Sequence, residues 1–317
     1  MTDDGLWSIG ELAARAGVTV KTVRHYSDRG LLPEAARSGG GHRRYGPQAL
    51  DRLRLIRSLR SLDLGVPEVR RVIERDEALE EVLAARLREV GSQLAVLRWR
   101  EASLRLVQDC AAGERAERLR LLGAVSLPPD TGALVRFWRR VLPARLPARL
   151  VTTVLDSVVP PPPADPTPPQ VLAFARLHEL VSDPRLDSGE FRPAPPLPAG
   201  EYRPTVLYEG LAEAYALAAR GVDEALAESG ALAESGAPAE SGALDCFVAA
   251  YATALGTADT PAFRQRLAGL LARSDGPVVH RYWKLAAGLF APGEPVLGAL
   301  HHHLSVALHA QVGSRAG

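Results

Sequence analysis

The chain has 317 residues, 38 Lys+Arg against 37 Asp+Glu, a net charge of +1, and 46% hydrophobic residues. That composition is globular rather than disordered, and the length allows two domains, or one with a long appendage. The acidic start Met1-Thr2-Asp3-Asp4 argues against a secretory signal, no run approaches the ~18 apolar residues of a membrane span, and a net charge near zero argues against a nucleic-acid partner as long as the whole chain is summed.

The first 75 residues read as short, sharply punctuated helices. Ser8-Ile9-Gly10-Glu11 is a capping box, in which the Ser8 hydroxyl takes the N3 amide while Glu11 reaches back. Ile9, Leu12 and Ala13 give that helix an apolar face, and Gly17 ends it. Thr19 caps a second helix running to about Arg29, with Gly30 as its stop. Two short helices joined by a glycine-containing turn make a helix-turn-helix candidate. Gly39-Gly40-Gly41 then interrupts the pattern, and His42-Arg43-Arg44-Tyr45 reads as a hairpin wing. Pro47 suits the first position of a third helix carrying Leu50, Leu53, Ile56 and Leu59, and Pro67 opens a fourth after Gly65.

From Glu77 to Ala112 there is no proline, and Leu83, Leu87, Val90, Leu94, Leu97 and Leu104 follow alternating steps of three and four, with Glu101 filling one seam position. This is a heptad seam on a helix of ~36 residues, ~54 Å long. Periodicity alone leaves two readings: the stripe packs on the chain's own C-terminal domain, or it forms a dimeric coiled coil.

The remainder reads as all-α. Seventeen of the 25 prolines fall between Pro128 and Pro204. Amphipathic segments run over Leu134–Leu142, Leu150–Val159, Val171–Val181, Val206–Leu226, Leu244–Leu255, Pro261–Arg273, Val278–Phe290 and Val296–Val312. Between Ala227 and Leu244 a six-residue unit recurs three times, too short for a solenoid repeat, and reads as an expanded flexible loop.

The second helix of a helix-turn-helix enters the major groove. Here Val20 and Val23 are expected to pack inward, leaving Lys21, Thr22, Arg24 and His25 outward. Arg24 can bind guanine bidentately or a phosphate, and Lys21 suits a phosphate. Arg43 and Arg44 beside Tyr45 suit the sugar-phosphate backbone, and Arg54 and Arg57 extend the track. For any single arginine, solvated surface is the simpler explanation; for the whole arrangement it is not.

These blocks carry a resemblance. Ile9-Gly10-Glu11-Leu12-Ala13, Gly17-Val18, Thr22-Val23-Arg24-His25-Tyr26, Gly30-Leu31-Leu32-Pro33 and Gly41-His42-Arg43-Arg44-Tyr45 closely resemble the MerR family of transcriptional regulators, over roughly Trp7 to Asp76. The resemblance implies a winged helix-turn-helix and dimerisation through an antiparallel coiled coil, so it favours the dimer for the heptad helix. It also implies a pseudo-palindromic operator in double-stranded promoter DNA, effector-controlled bending and untwisting of that DNA, and realignment for RNA polymerase. By position, Thr22, Arg24, His25 and Tyr26 become recognition-helix candidates, with Arg43, Arg44 and Tyr45 on the wing. Ser27 departs from the family, standing where an acidic residue commonly follows the tyrosine; Pro67 is a second departure.

The expected organisation is therefore mainly α: residues 1–75 a DNA-binding domain with a small β wing, 76–112 a dimerisation helix, and 113–317 an all-α effector or interaction domain. The only cysteines, Cys110 and Cys246, form no CxxC pair, which points to a reducing cytoplasm and against a thiol metal sensor. In His301-His302-His303, consecutive side chains point ~100° apart, so they do not converge on one ion; one is expected to pack and the others to face water. No metal or cofactor is expected. A small-molecule effector pocket would draw on aromatic residues, and Trp138, Tyr215, Tyr251, Tyr282 and Trp283 are the candidates, though at helical spacing such residues are more often core. The alternatives are a protein-docking module without a small ligand and, more remotely, an enzyme, for which no nucleophile-base spacing or phosphate loop is present. The charge objection dissolves by halves: residues 1–75 hold 14 Lys+Arg against 9 Asp+Glu, and the remainder 24 against 28. A dimer would bring +10 to DNA.

Overall fold

The structure is a computed structural model in which residues 5–75, 77–187, 202–229, 238–274, 276–291 and 296–314 are described. The chain divides into two units, Met1–Leu94 and Ala95–Gly317.

The first unit opens with α1 (Ile9–Ala16). Its capping box forms: the Glu11 amide donates to Ser8 Oγ at 3.3 Å, and the Ser8 amide to Glu11 Oε2 at 2.6 Å. Gly17 ends the helix at φ 62°, a left-handed conformation that costs a residue with a Cβ. Two residues later Thr19 caps α2 (Val20–Asp28), accepting the Thr22 amide at 3.2 Å. Strands β1 (Ala36–Arg37) and β2 (Arg43–Arg44) pair antiparallel, with Ala36 opposite Arg44 and Arg37 opposite Arg43. The wing has a further rung the sequence does not announce, because Trp7 and Tyr45 exchange backbone hydrogen bonds of 2.7 and 2.8 Å. Pro47 starts α3 (Pro47–Ser61), and α4 (Val66–Glu74) follows. Leu12, Val23, Leu53 and Ile56 are fully buried where these helices meet, each side chain contributing about 1.5–3 kcal/mol. Val20 is 41% exposed, contrary to its expected inward packing. Its spacing puts it on the same face as Val23, but as the first residue of α2 it stands at the exposed end of that face.

The long helix α5 (Ala78–Gln108) has 31 residues, shorter at its C-terminal end than expected. A 3-10 turn follows at Ala112–Glu114. Ala78 and Val82 bury in the first unit's core, while Trp99, Ala102 and Leu106 bury in a core of the second. The residues that pack on the second unit, Trp99, Ala102 and Leu106, are thus not those of the heptad seam, whose Leu87, Val90, Leu94, Leu97 and Leu104 stay exposed.

The second unit is helical throughout its described residues: α6 (Arg115–Gly123), α7 (Gly132–Val141), α8 (Ala148–Val158), α9 (Pro168–Val181), α10 (Pro204–Ser229), α11 (Pro238–Leu255), α12 (Pro261–Ser274), α13 (Pro277–Ala286) and α14 (Leu297–Ser314), with a 3-10 turn at Pro184–Asp187. One core gathers Leu134, Phe137, Phe174 and Tyr282 around Trp99, whose Nε1 donates to the Pro163 carbonyl at 2.9 Å. The other gathers Ala214, Phe247, Val248, Leu267 and Leu308. In that second core α10 and α11 approach closely at Gly210, where a Cβ would lie 2.7 Å from that of Ala250. The hexapeptide segment is not wholly loop: α10 runs on to Ser229 and α11 starts at Pro238, so only residues 230–237 separate them, and these lie outside the described residues. The helix α6 has no counterpart in the sequence reading.

Candidate nucleic-acid interface

Capping by Thr19 sets the start of α2 and so fixes which residues face out. Val23 and Ser27, four apart, form the buried side; Lys21, Arg24 and His25 are exposed, and Thr22 and Tyr26 half-buried. Thr22 also hydrogen-bonds its hydroxyl to that of Thr19 at 2.9 Å. The His25 and Tyr26 rings meet edge to face at 5.3 Å. Two cations and an imidazole on one helix face can read base edges and phosphates together.

The wing residues have separate fates. Arg43 is already committed: Nη1 lies 2.5 Å from Asp28 Oδ1 and Nε 2.7 Å from Glu34 Oε1. The hydrogen bond to Asp28 chiefly, and the charges of Asp28 and Glu34, raise the guanidinium's pKa. Tyr45 is fully buried, and its hydroxyl donates to Ser27 Oγ at 2.9 Å. Its candidacy as a DNA contact is thus corrected: the side chain has no exposed surface and instead ties the wing to α2. Arg44, like Arg43, is half-buried, and its charge lies near enough to Glu11 to help lower that carboxyl's pKa. On α3, Arg54 pairs loosely with Asp51 at 3.4 Å, whereas Arg57 donates to the Ala16 carbonyl at 2.6 Å, satisfying the end of α1. Residue type suggested one basic track; Lys21, Arg24 and Arg54 are exposed, Arg44 is half-buried, and Arg43 and Arg57 are tethered. The sequence reading also passed over Arg15, whose guanidinium sits 4.5 Å from the Trp7 ring centre.

Along α5 the candidate dimerisation residues Leu87, Val90, Leu94, Leu97 and Leu104 are all exposed, by 43–73%. Leu83 is not part of this open seam; it packs against the first unit's core.

The five aromatic ligand candidates do not line one pocket. Trp138, Tyr282 and Trp283 belong to one core, with Tyr282 fully buried and its hydroxyl donating to the Val158 carbonyl at 2.8 Å. Trp283 lies against Gly298, leaving no room there for a Cβ. Tyr215 and the buried Tyr251 belong to the other core, and the Tyr215 hydroxyl is 2.7 Å from His301 Nδ1. His301 thus packs, while His302 and His303 are exposed. A cleft of about 210 Å³ on this unit is lined instead by Ala133, Arg136, Arg140, Val181, Ser182 and Asp183. Among the described residues no three His, Cys, Asp or Glu side chains converge as metal ligands, and no helix is long and apolar enough to cross a membrane.

The N-terminal part of the chain is similar to known proteins. Residues 7–76 match the family of MerR HTH family regulatory proteins. The nodulation protein NolA of a Bradyrhizobium species is 40% identical over 89 residues, 28% of this chain and 38% of NolA, so the match spans well under half of that relative. The HTH-type transcriptional regulator ZntR homolog of Haemophilus influenzae is 34% identical over 107 residues, covering 31% of this chain and 79% of its own length. A solved structure of the transcription regulator PbrR691 from Ralstonia metallidurans, in complex with lead(II), is 36% identical over 33% of this chain and 89% of its own, with a TM-score of 0.30.

Proposed function

The chain belongs to the MerR family of helix-turn-helix regulatory proteins, and from that premise we propose that it is a homodimeric regulator of transcription that binds double-stranded promoter DNA. The carrying observation is the capped helix α2, whose buried Val23 and Ser27 leave Lys21, Arg24 and His25 on the open side. In this reading α2 enters the major groove, with Arg24 on a guanine edge or phosphate and Lys21 on a phosphate, while Arg44 and Arg54 contact the flanking backbone. Residues 1–75 read DNA, 76–112 pair the protomers along α5, and 113–317 form the regulatory domain. An effector bound by that helical domain lets the dimer distort a pseudo-palindromic operator and realign the promoter for RNA polymerase. The site of action is the cytoplasm. In this reading the effector binds the cleft between α7 and the end of α9, where Arg136 and Ser182 offer polar contacts.

Footprinting of purified protein on genomic promoter fragments tests the core of this reading. Protection of one two-fold symmetric site is expected, and Arg24→Ala should weaken it by about 1–3 kcal/mol and relax its sequence preference. Equal binding to all fragments by both proteins would remove α2 from its proposed role.

A further inference from the structure

The open seam of α5 has a spacing that reads the same in both directions. From Leu87 through Val90, Leu94, Leu97 and Glu101 to Leu104 the steps are three, four, three, four, three. Five of the six are large apolar side chains left exposed. The sixth, Glu101, is a carboxylate whose side chain is 60% exposed and which accepts from Arg105 Nη2 at 2.6 Å, one turn on.

We propose that Glu101 is the residue that fixes the orientation in which two copies of this chain pair along α5. The proposal rests on the homodimer reading and goes beyond it by naming the determinant. Two arrangements would bury the apolar seam equally well. In a parallel, in-register pair each residue meets its own copy, so two Glu101 carboxylates face each other inside an apolar stripe. Like charges juxtaposed in an interface oppose association strongly. In an antiparallel pair with its two-fold axis between Ala95 and Val96, Leu87 meets the partner's Leu104, Leu94 meets the partner's Leu97, and Glu101 lies beside the partner's Val90. The two Glu101 side chains are then eleven residues apart along the axis, about 16 Å at 1.5 Å per residue, and beyond the screening length of about 8–10 Å. There Glu101 keeps Arg105 as its counter-ion. A one-heptad slip would carry either Leu104 or Leu87 of each copy past the end of the apolar run, so the same palindrome that permits two orientations sets the register. A single polar residue in a coiled-coil seam commonly selects among pairings in this way.

Cysteine cross-linking of the full chain under mild oxidation reads the orientation directly, with the unsubstituted protein as the background for Cys110 and Cys246. Leu87→Cys alone links two copies only if they run parallel; Leu87→Cys together with Leu104→Cys links them if they run antiparallel. With Glu101 present, only the double variant should cross-link. Adding Glu101→Leu should raise the Leu87→Cys dimer band about tenfold or more, while Glu101→Asp, which keeps the charge, should leave it at background. If Glu101→Leu protein remains dimeric and still links only in the antiparallel sense, Glu101 is not the determinant and the proposal fails, although the homodimer reading stands. Parallel linkage with Glu101 intact also overturns it. A chain that is monomeric by light scattering at micromolar concentration overturns the homodimer reading, and this inference with it.

Discussion

Tyr45 carries its hydroxyl to Ser27 at 2.9 Å, with both residues removed from solvent. Tyr45→Phe leaves a buried hydroxyl on Ser27 unsatisfied, which costs about 1–3 kcal/mol. Urea unfolding followed by a probe in the first unit should show that destabilisation. Adding Ser27→Ala should recover part of it, because the orphaned group is then gone; strict additivity of the two would mean no coupling. Arg43 and Lys21 make a second contrast. Arg43 is held by Asp28 and Glu34, so Arg43→Ala should lower stability and leave the salt dependence of DNA binding unchanged. Lys21 is exposed, and Lys21→Ala should make the slope of log K against log salt shallower by about 0.9 for each phosphate that the side chain had neutralised. Glu11 supplies a pH dependence. The Ser8 amide first, then the Ser8 hydroxyl side of the capping box, holds the Glu11 carboxyl below its usual pKa. A depressed folded-state pKa stabilises the folded chain above the unfolded-state value, and that contribution disappears as pH falls through the lowered one. Carboxyl titration by NMR should therefore show Glu11 titrating late on acidification, and Ser8→Ala, which removes the hydroxyl and keeps the amide, should move it only part of the way back towards an ordinary glutamate.

At the scale of elements, tight packing at Gly210 gives a sharp expectation. Gly210→Ala puts a Cβ 2.7 Å from Ala250, so α10 and α11 must separate, at about 1–3 kcal/mol; a thermal midpoint equal to that of the unchanged protein would show that the pair yields freely. The glycine itself could not have been singled out from sequence, since nothing local distinguishes it from Gly91 on α5, which meets nothing within 4 Å. What sequence does convey is punctuation. Ser8, Thr19 and Thr167 each cap the helix they precede, because capping is a local contest between a side-chain oxygen and water for a free amide. Apolar stripes placed most of the later helices within a few residues. The helix α6 escaped because Arg115-Ala-Glu-Arg-Leu-Arg-Leu-Leu is interrupted by charge throughout and buries only Leu121 fully. The wing residues were legible as a motif but not as roles. Burial of Tyr45, tethering of Arg43 and attachment of Arg57 to α1 depend on partners 15 to 41 residues away, and no local pattern carries that information. The aromatic candidates failed for the same reason: helical spacing cannot say which of two cores a ring enters.

For the whole molecule, net charge near zero conceals a division between a basic N-terminal stretch and an acidic remainder, and the tethering of particular arginines converts that division into a number. Counted by residue type, Lys21, Arg24, Arg43, Arg44, Arg54 and Arg57 offer six cations per protomer to DNA. Arg43 and Arg57 are already spoken for by Asp28, Glu34 and the Ala16 carbonyl, and releasing either would break an interaction that holds the wing or the end of α1. Four remain, of which Arg24 can go to a base edge rather than a phosphate. A dimer then neutralises six to eight phosphates, and the slope of log K against log salt should be about −5 to −7. Had all six cations per protomer engaged the backbone, the slope would approach about −11. Binding isotherms on the protected operator between about 50 and 200 mM salt separate the two cases. A slope near the steeper value would mean that Arg43 and Arg57 exchange their internal partners for phosphates on binding, so that the wing and the end of α1 rearrange on DNA; the shallower value means that the first unit docks in the form it already has.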